Sequence, residues 1–296
     1  MQPTTYLFDF EPTDDKTRPY IMQEFARNGA RHLVLTDTLI RQIMFDSDLV
    51  QKLRKNLADT GMDFVDSHAP FNNWNDDLDL VDTAMRPTMI ARKMVAMHIA
   101  ADFGVDTITI HVGNALLATR NQGHTIQECD ENIKRALEEL LPLAEQLKMV
   151  ICIENIWCPT NTTDKLLALI DFFQSENLGI CYDAGHANLM KAPQEGKNSA
   201  PIEYFGAFDD FNDKPVPYDP QMLEHLLPHV VNCHLHDNNG LFDFHRLPGT
   251  GTVDWPHIIG LLKKAPRLRS FQSEVIPVRE NVSIRTLVET FEALLK

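Results

Sequence analysis

The chain has 296 residues, 44% of them hydrophobic and 23% charged, and 27 Lys+Arg against 42 Asp+Glu give a formal net charge of −15. The apolar share is enough for a sizeable core and excludes a disordered or fibrous protein. The acidic balance argues against nucleic acid or an anionic membrane as partner, because Lys and Arg carry affinity for both and no basic run is present.

Short runs of β-forming residues recur along the chain, separated by longer segments with helical spacing. Strands are predicted at Tyr6–Phe10 and His32–Thr36. Ser47 is placed to cap a helix carrying Leu49, Leu53 and Leu57, with Gly61 as its stop. A third strand, Phe64–His68, precedes a long helix over Met85–Phe103. A fourth, Thr107–Val112, precedes a helix over Gln127–Leu147 with Ile133, Leu137, Leu140, Leu141 and Ala144 on one face. The fifth strand, Val150–Ile156, leads to a helix opened by Thr163 and Asp164, and the sixth is Gly179–Ala184. Met190–Pro220 then breaks the rhythm with five prolines and several acids, and reads as a long loop or lid, a subunit contact or a plain surface excursion. The seventh strand, Val230–His236, precedes a helix over Asp254–Lys264, and the eighth, Ser270–Val275, precedes one over Ser283–Leu295.

Eight strands alternating with helices imply parallel pairing through right-handed crossovers. The expectation is an α/β protein, a single (β/α)8 TIM barrel spanning 1–296, with the 190–220 loop at its mouth. A doubly wound open sheet is the weaker alternative, since no Gly-rich phosphate loop follows the first strand; no nucleotide cofactor is expected. Cys129, Cys152, Cys158, Cys181 and Cys233 are odd in number and include no CxxC pair, so a disulfide framework is not expected. With no secretory signal and no apolar run of bilayer length, the reading is a cytoplasmic protein without membrane association.

The active site of such a barrel lies at the C-terminal ends of its strands. There the sequence places Asp66 and His68, His111, Glu154, Asp183 and His186, His234, His236 and Asp237, and Glu274, with Asp243 and His245 in the loop after the seventh strand. Any one of these reads first as an ordinary satisfied polar residue. Together they converge on one mouth, and converging imidazoles and carboxylates are what a divalent ion needs. The remaining histidines, His32, His98, His124, His225, His229 and His257, read as structural or solvated.

The strings HAPF at 68–71, HVG at 111–113, IEN at 153–155, YDAGH at 182–186, HLHD at 234–237, DFHRLPGTGTVDW at 243–255 and SEV at 273–275 resemble the xylose isomerase-like barrel superfamily, over essentially the whole chain. That group contains sugar phosphate isomerases and epimerases, dehydratases and, more distantly, endonuclease IV. The resemblance implies one divalent ion, Mn2+, Mg2+, Co2+ or Zn2+, held by Glu154, Asp183, His234 and Glu274. His234 is preferred to His236 because it lies three residues before Asp237, while His236 would reach substrate or replace it as ligand. Glu154 and Glu274 would be the acid/base pair that moves a proton through a metal-stabilised enediolate. His186, His236, Trp157 and Arg246 would contact a small carbohydrate or its phosphate.

The endonuclease pattern adds His68 and His111 for a second ion and His186, Asp243 and His245 for a third, which favours phosphodiester hydrolysis as the alternative activity. The ENTAG and DTCH strings of that branch are ENIW and DAGH here, and the charge of −15 points away from a phosphate backbone. The Arg by which epimerases grip the sugar has no counterpart in Asn238-Asn239-Gly240. A sugar dehydratase or lyase would use the same site. Phe71, Trp74 and Trp157 are candidates for stacking on a sugar face, and Arg246 and Arg279 for meeting an anionic group. Gly249-Thr250-Gly251 reads as a tight turn or as an anion nest. Barrels of this group often pair, so a homodimer is the expected partner state.

Overall fold

The computed structural model describes residues 2–9, 13–71, 76–113, 125–190 and 219–296. Eight parallel strands form one sheet in the order β3-β2-β1-β8-β7-β6-β5-β4. They are β1 (Thr4–Tyr6), β2 (His32–Leu35), β3 (Asp63–Ser67), β4 (Thr107–Ile110), β5 (Val150–Glu154), β6 (Leu178–Asp183), β7 (Val230–Leu235) and β8 (Phe271–Ser273). The two edges, β3 and β4, meet through a parallel bridge between His68 and Thr109 and a bond from Ser67 Oγ to the Thr107 carbonyl at 2.6 Å. The sheet thus curls into a (β/α)8 barrel. Every residue of β4, β5, β6 and β7 is buried, as strands lined by helices outside and packed side chains inside must be.

The helices are α1 (Arg18–Arg27), α2 (Asp37–Phe45), α3 (Asp48–Thr60), α4 (Arg86–Asp102), α5 (Ile126–Leu147), α6 (Thr163–Phe173), α7 (Ala184–Leu189), α8 (Met222–Leu226), α9 (Trp255–Leu262) and α10 (Ile284–Leu295). In α5, Thr125 and Glu128 close a capping box, and Ile133, Leu137, Leu140 and Ala144 are buried along one face. Ser47 does not cap α3 through its side chain; Asp46 Oδ1 accepts from the Asp48 N–H at 3.0 Å instead. Gly61 ends that helix in the left-handed conformation, φ 66°. The strands are shorter than the sequence pattern suggests. The first begins at Thr4 and its ladder reaches only to Leu7, whose N–H donates to the Ser273 carbonyl. Residues 191–218 of the long 190–220 connection, and Trp74 and His124, lie outside the described residues. Among the described residues no helix is long and apolar enough to cross a membrane.

Beneath the mouth the barrel interior carries a polar link. Asp66 Oδ1 accepts from Asn232 Nδ2 at 2.6 Å and Thr107 Oγ1 at 3.0 Å, tying β3, β4 and β7 together. Burial pushes this carboxyl up to about 6.

Candidate metal centre and active site

Glu154 ends β5 and is 1% exposed. Asn155 fastens it to the next strand: its Nδ2 donates to the Asp183 carbonyl at 2.9 Å and its Oδ1 accepts from the Asp183 N–H at 2.8 Å. Asp183 ends β6 and starts α7 at the same residue. Its Oδ1 accepts from the His186 N–H at 2.6 Å, capping the helix, while its Oδ2 lies 3.2 Å from His236 Nε2. The short turn of helix therefore returns His186 over the strand end that carries its own cap.

Three carboxylates close on one imidazole nitrogen. His234 Nδ1 lies 3.3 Å from Glu154 Oε1, 3.2 Å from Glu274 Oε1 and 3.7 Å from Asp183 Oδ2. An ion held tetrahedrally at about 2.1 Å spaces its ligands about 3.4 Å apart, so these separations fit a common divalent ion. Neither ring nitrogen of His234 has a hydrogen-bond partner among the described residues, although the side chain is fully buried. Glu154 Oε2, His111 Nδ1, His236 Nδ1 and Asp243 Oδ1 are also buried without one. Buried polar atoms are rarely left so unless something else binds them.

The other histidines surround this centre. His68 Nε2 is 3.5 Å and His111 Nε2 3.1 Å from Glu154 Oε2. His245 Nε2 is 3.0 Å and His186 Nε2 3.6 Å from Asp243 Oδ2. Three of these rings hand Nδ1–H to a backbone carbonyl: His68 to Ala69 at 2.8 Å, His186 to Asn155 at 2.9 Å and His245 to Glu274 at 2.9 Å. That bond occupies Nδ1 and turns Nε2 toward the cluster, as metal-binding histidines are commonly oriented. Overlapping trios, among them Glu154/Asp183/His234, His68/His111/Glu154 and Asp183/His186/His236, each bring their ligand atoms within 4.8 Å of one another. The mixed nitrogen and oxygen donors suit Zn2+, Co2+ or Mn2+.

Burial opposes every charge here, yet the opposite charges overcome it. Glu154 is held well below the carboxylate range by His234 and His111, and Asp243 likewise by His245 and His186. His234 is raised to about 10, since Glu274 and Glu154 outweigh its burial, and His245 to about 9 by Asp243. His111 is the exception, pushed down to about 4 by burial.

The cluster floors a cavity of about 620 Å³. Glu154 and Glu274 line it, as do His68, His111, His186 and His245, whereas Asp183 and His234 lie beneath. Trp157 lines it too, its ring 4.6 Å from His186, and so does Phe71. Arg246 stacks over Phe244 at 4.2 Å, sits 3.5 Å from Glu280 and is not among the lining residues, while exposed Arg279 is. The Gly249 turn is already engaged: its N–H donates to Asp237 Oδ2 at 2.8 Å. The same carboxylate accepts from Trp255 Nε1, Asn238 N–H and Val253 N–H. Asp237, which the sequence shows only as a spacing mark after His234, is thus the anchor of the loop that carries Asp243 and His245.

An eight-stranded barrel with imidazoles and carboxylates gathered at its C-terminal mouth is one class of architecture, and comparison with known proteins places the chain within it. Residues 23–270 match the family described as xylose isomerase-like TIM barrel, and the chain belongs to that family. An uncharacterized protein of Methanocaldococcus jannaschii is 26% identical over 233 residues, covering 77% of this chain and 67% of that protein. Among solved structures, a D-psicose 3-epimerase determined in the presence of D-fructose superposes with a TM-score of 0.69 at 13% identity, covering 100% of this chain and 99% of the other. A D-tagatose 3-epimerase-like protein gives 0.67 at 19% identity, with 99% and 98% covered. The 3-keto-D-glucoside 4-epimerase YcjR of E. coli gives 0.68 at 15% identity, again with 99% and 98% covered.

Proposed function

We propose that the protein is a metal-dependent isomerase or epimerase of a small carbohydrate, using Glu154, Asp183, His234 and Glu274 as metal ligands. The observation that carries this reading is the closing of three carboxylates, from three different strand ends, on His234 Nδ1. The fold shared with two sugar epimerases and an epimerase-like protein supports it.

A bound divalent ion supplies Lewis acidity to the oxygens of an α-hydroxycarbonyl, which acidifies the C–H between them. Of the four proposed ligands, only Glu154 and Glu274 reach the cavity, so they are the groups placed to remove a proton and to return it. Asp183 and His234 hold the floor. His186, with Nδ1 fixed by the Asn155 carbonyl, presents Nε2 to a substrate oxygen. Trp157 and Phe71 supply apolar faces against which a sugar ring can rest.

The test is solvent-deuterium incorporation into free ketohexoses and their phosphates by the Mn2+-loaded protein. Glu154→Gln and Glu274→Gln are each expected to abolish exchange while the melting temperature is kept. Full exchange in both variants would overturn the assignment.

A second reading, phosphodiester hydrolysis on several ions, draws on the adjoining trios His68/His111/Glu154 and Asp183/His186/His236. It predicts incision of an abasic duplex, and the net charge of −15 disfavours a phosphate backbone at this mouth.

A further inference from the structure

The cavity wall formed by β1 and β8 carries two polar atoms that the metal centre does not use. Asp9 follows β1 with its side chain 1% exposed. Arg18, buried at the start of α1, spreads its guanidinium over Asp9 Oδ1 at 3.4 Å, Asp15 Oδ1 at 2.8 Å and Gln42 Oε1 at 2.9 Å. That fork holds one oxygen of Asp9 and leaves Oδ2 buried without a partner among the described residues. Gln272, in β8, is 1% exposed; its Nε2 donates to Glu274 Oε1 at 3.4 Å, and its Oε1 is likewise buried and unpartnered among the described residues. The strands are neighbours, with Gln272 paired to Thr5 on one side and to His234 on the other and Asp9 four residues beyond Thr5, and both side chains line the cavity.

Two buried acceptors on one wall need donors, and a charged acceptor left unpaired in a buried site is costly. A phosphate brings oxygens and negative charge and would be repelled by Asp9; a hydroxyl brings an O–H. Among the described residues that line this cavity the one Lys or Arg is Arg279, which is exposed and lies in the turn beyond β8. We infer that Asp9 Oδ2 and Gln272 Oε1 form an acceptor subsite for the hydroxyl-bearing, unphosphorylated part of a polyol substrate. This deepens the proposed sugar chemistry and rests on it for the identity of the ligand class.

The experiment is ligand-observed NMR on the Zn2+-loaded protein with a linear hexitol, free ketohexoses and the matching terminal phosphates. Wild type is expected to bind the unphosphorylated compounds in preference to the phosphates. Asp9→Asn, which turns an N–H2 toward the cavity, is expected to weaken them roughly tenfold or more, the effect of one hydrogen bond to a charged acceptor. Gln272→Met keeps the side-chain length without Oε1 and provides the same test should Asp9→Asn fail to fold; metal content and melting temperature are read alongside. Undiminished polyol binding in the folded variants, preference for the phosphates, or no polyol binding by wild type would each overturn the subsite. Polyol binding lost in the variants, but with no deuterium exchange in wild type, would instead leave the subsite standing and overturn the isomerase reading.

Discussion

A Cβ placed on Gly185 would lie 1.9 Å from Cε1 of His236. The ring of His236 fills the space where any other residue at 185 would have a side chain, and it stacks on His245 with centroids 4.0 Å apart. The glycine in Asp183-Ala184-Gly185-His186 is therefore a space requirement of the proposed metal centre. Gly185→Ala is expected to displace His236 from Asp183 and to cost about 1–3 kcal/mol of stability, the usual range for overpacking. Denaturant unfolding and metal content would check it; a variant that keeps both unchanged would mean that the ring has room to move.

Asp237 is fully buried and accepts four bonds, from Asn238, Gly249, Val253 and Trp255. Asp237→Asn would turn an amide donor toward at least one of these N–H groups. A loss of about 3 kcal/mol is expected, in line with breaking a buried network around a charged acceptor. The loop holding Asp243 and His245 should loosen with it, so metal content should fall even where the fold survives. Thr250→Ala, at an exposed position of the same turn, should change neither quantity.

The barrel was legible because alternation of strand and helix survives in local sequence. The strand ends were less so. The eighth strand reads as Ser270–Val275 but spans only Phe271–Ser273, with the Glu274 N–H still donating to the Leu235 carbonyl at 3.3 Å and its side chain lining the cavity. Helix α7 is six residues long and is set by one carboxylate, which gives no periodic signal. Each polar residue of the mouth could be found as a strand-end residue, but the partner of each nitrogen and oxygen could not. Whether the Gly249 turn was a nest depended on Asp237, twelve residues away and drawn in by the fold. Asp9 and Gln272 gave no signal, both falling inside predicted strands, Tyr6–Phe10 and Ser270–Val275.

His111 offers a way to count ions. Burial holds it at about 4, so it is neutral at pH 7 and ready to coordinate. It belongs to the trio with His68 and Glu154 and not to the set around His234 Nδ1. If more than one ion binds, His111→Ala should remove one equivalent by elemental analysis and leave that at His234. If a single ion binds at His234, the count should stay at one.

Removing the metal should reverse the pH dependence of stability. In the metal-free protein His234 is raised to about 10 and His245 to about 9, both above the ordinary imidazole value near 6.5. The stabilisation from these groups is complete below about 6.5 and is lost as pH rises through about 9 and 10. Glu154 and Asp243 are lowered, so their contribution is complete above about 4.5 and is lost as pH falls through their depressed values. The metal-free protein should therefore be most stable between about pH 4.5 and 6.5 and should melt progressively lower from pH 7 to 10. A divalent ion binds deprotonated imidazoles, so its affinity should rise over the interval in which the metal-free protein weakens. Calorimetry at pH 7 in buffers of different ionisation enthalpy should show protons released as the cluster fills, from His186, His234 and His245, each raised above the ordinary imidazole value. Binding without proton release would mean that these imidazoles are neutral beforehand, and that the carboxylates alone set the charge of the centre.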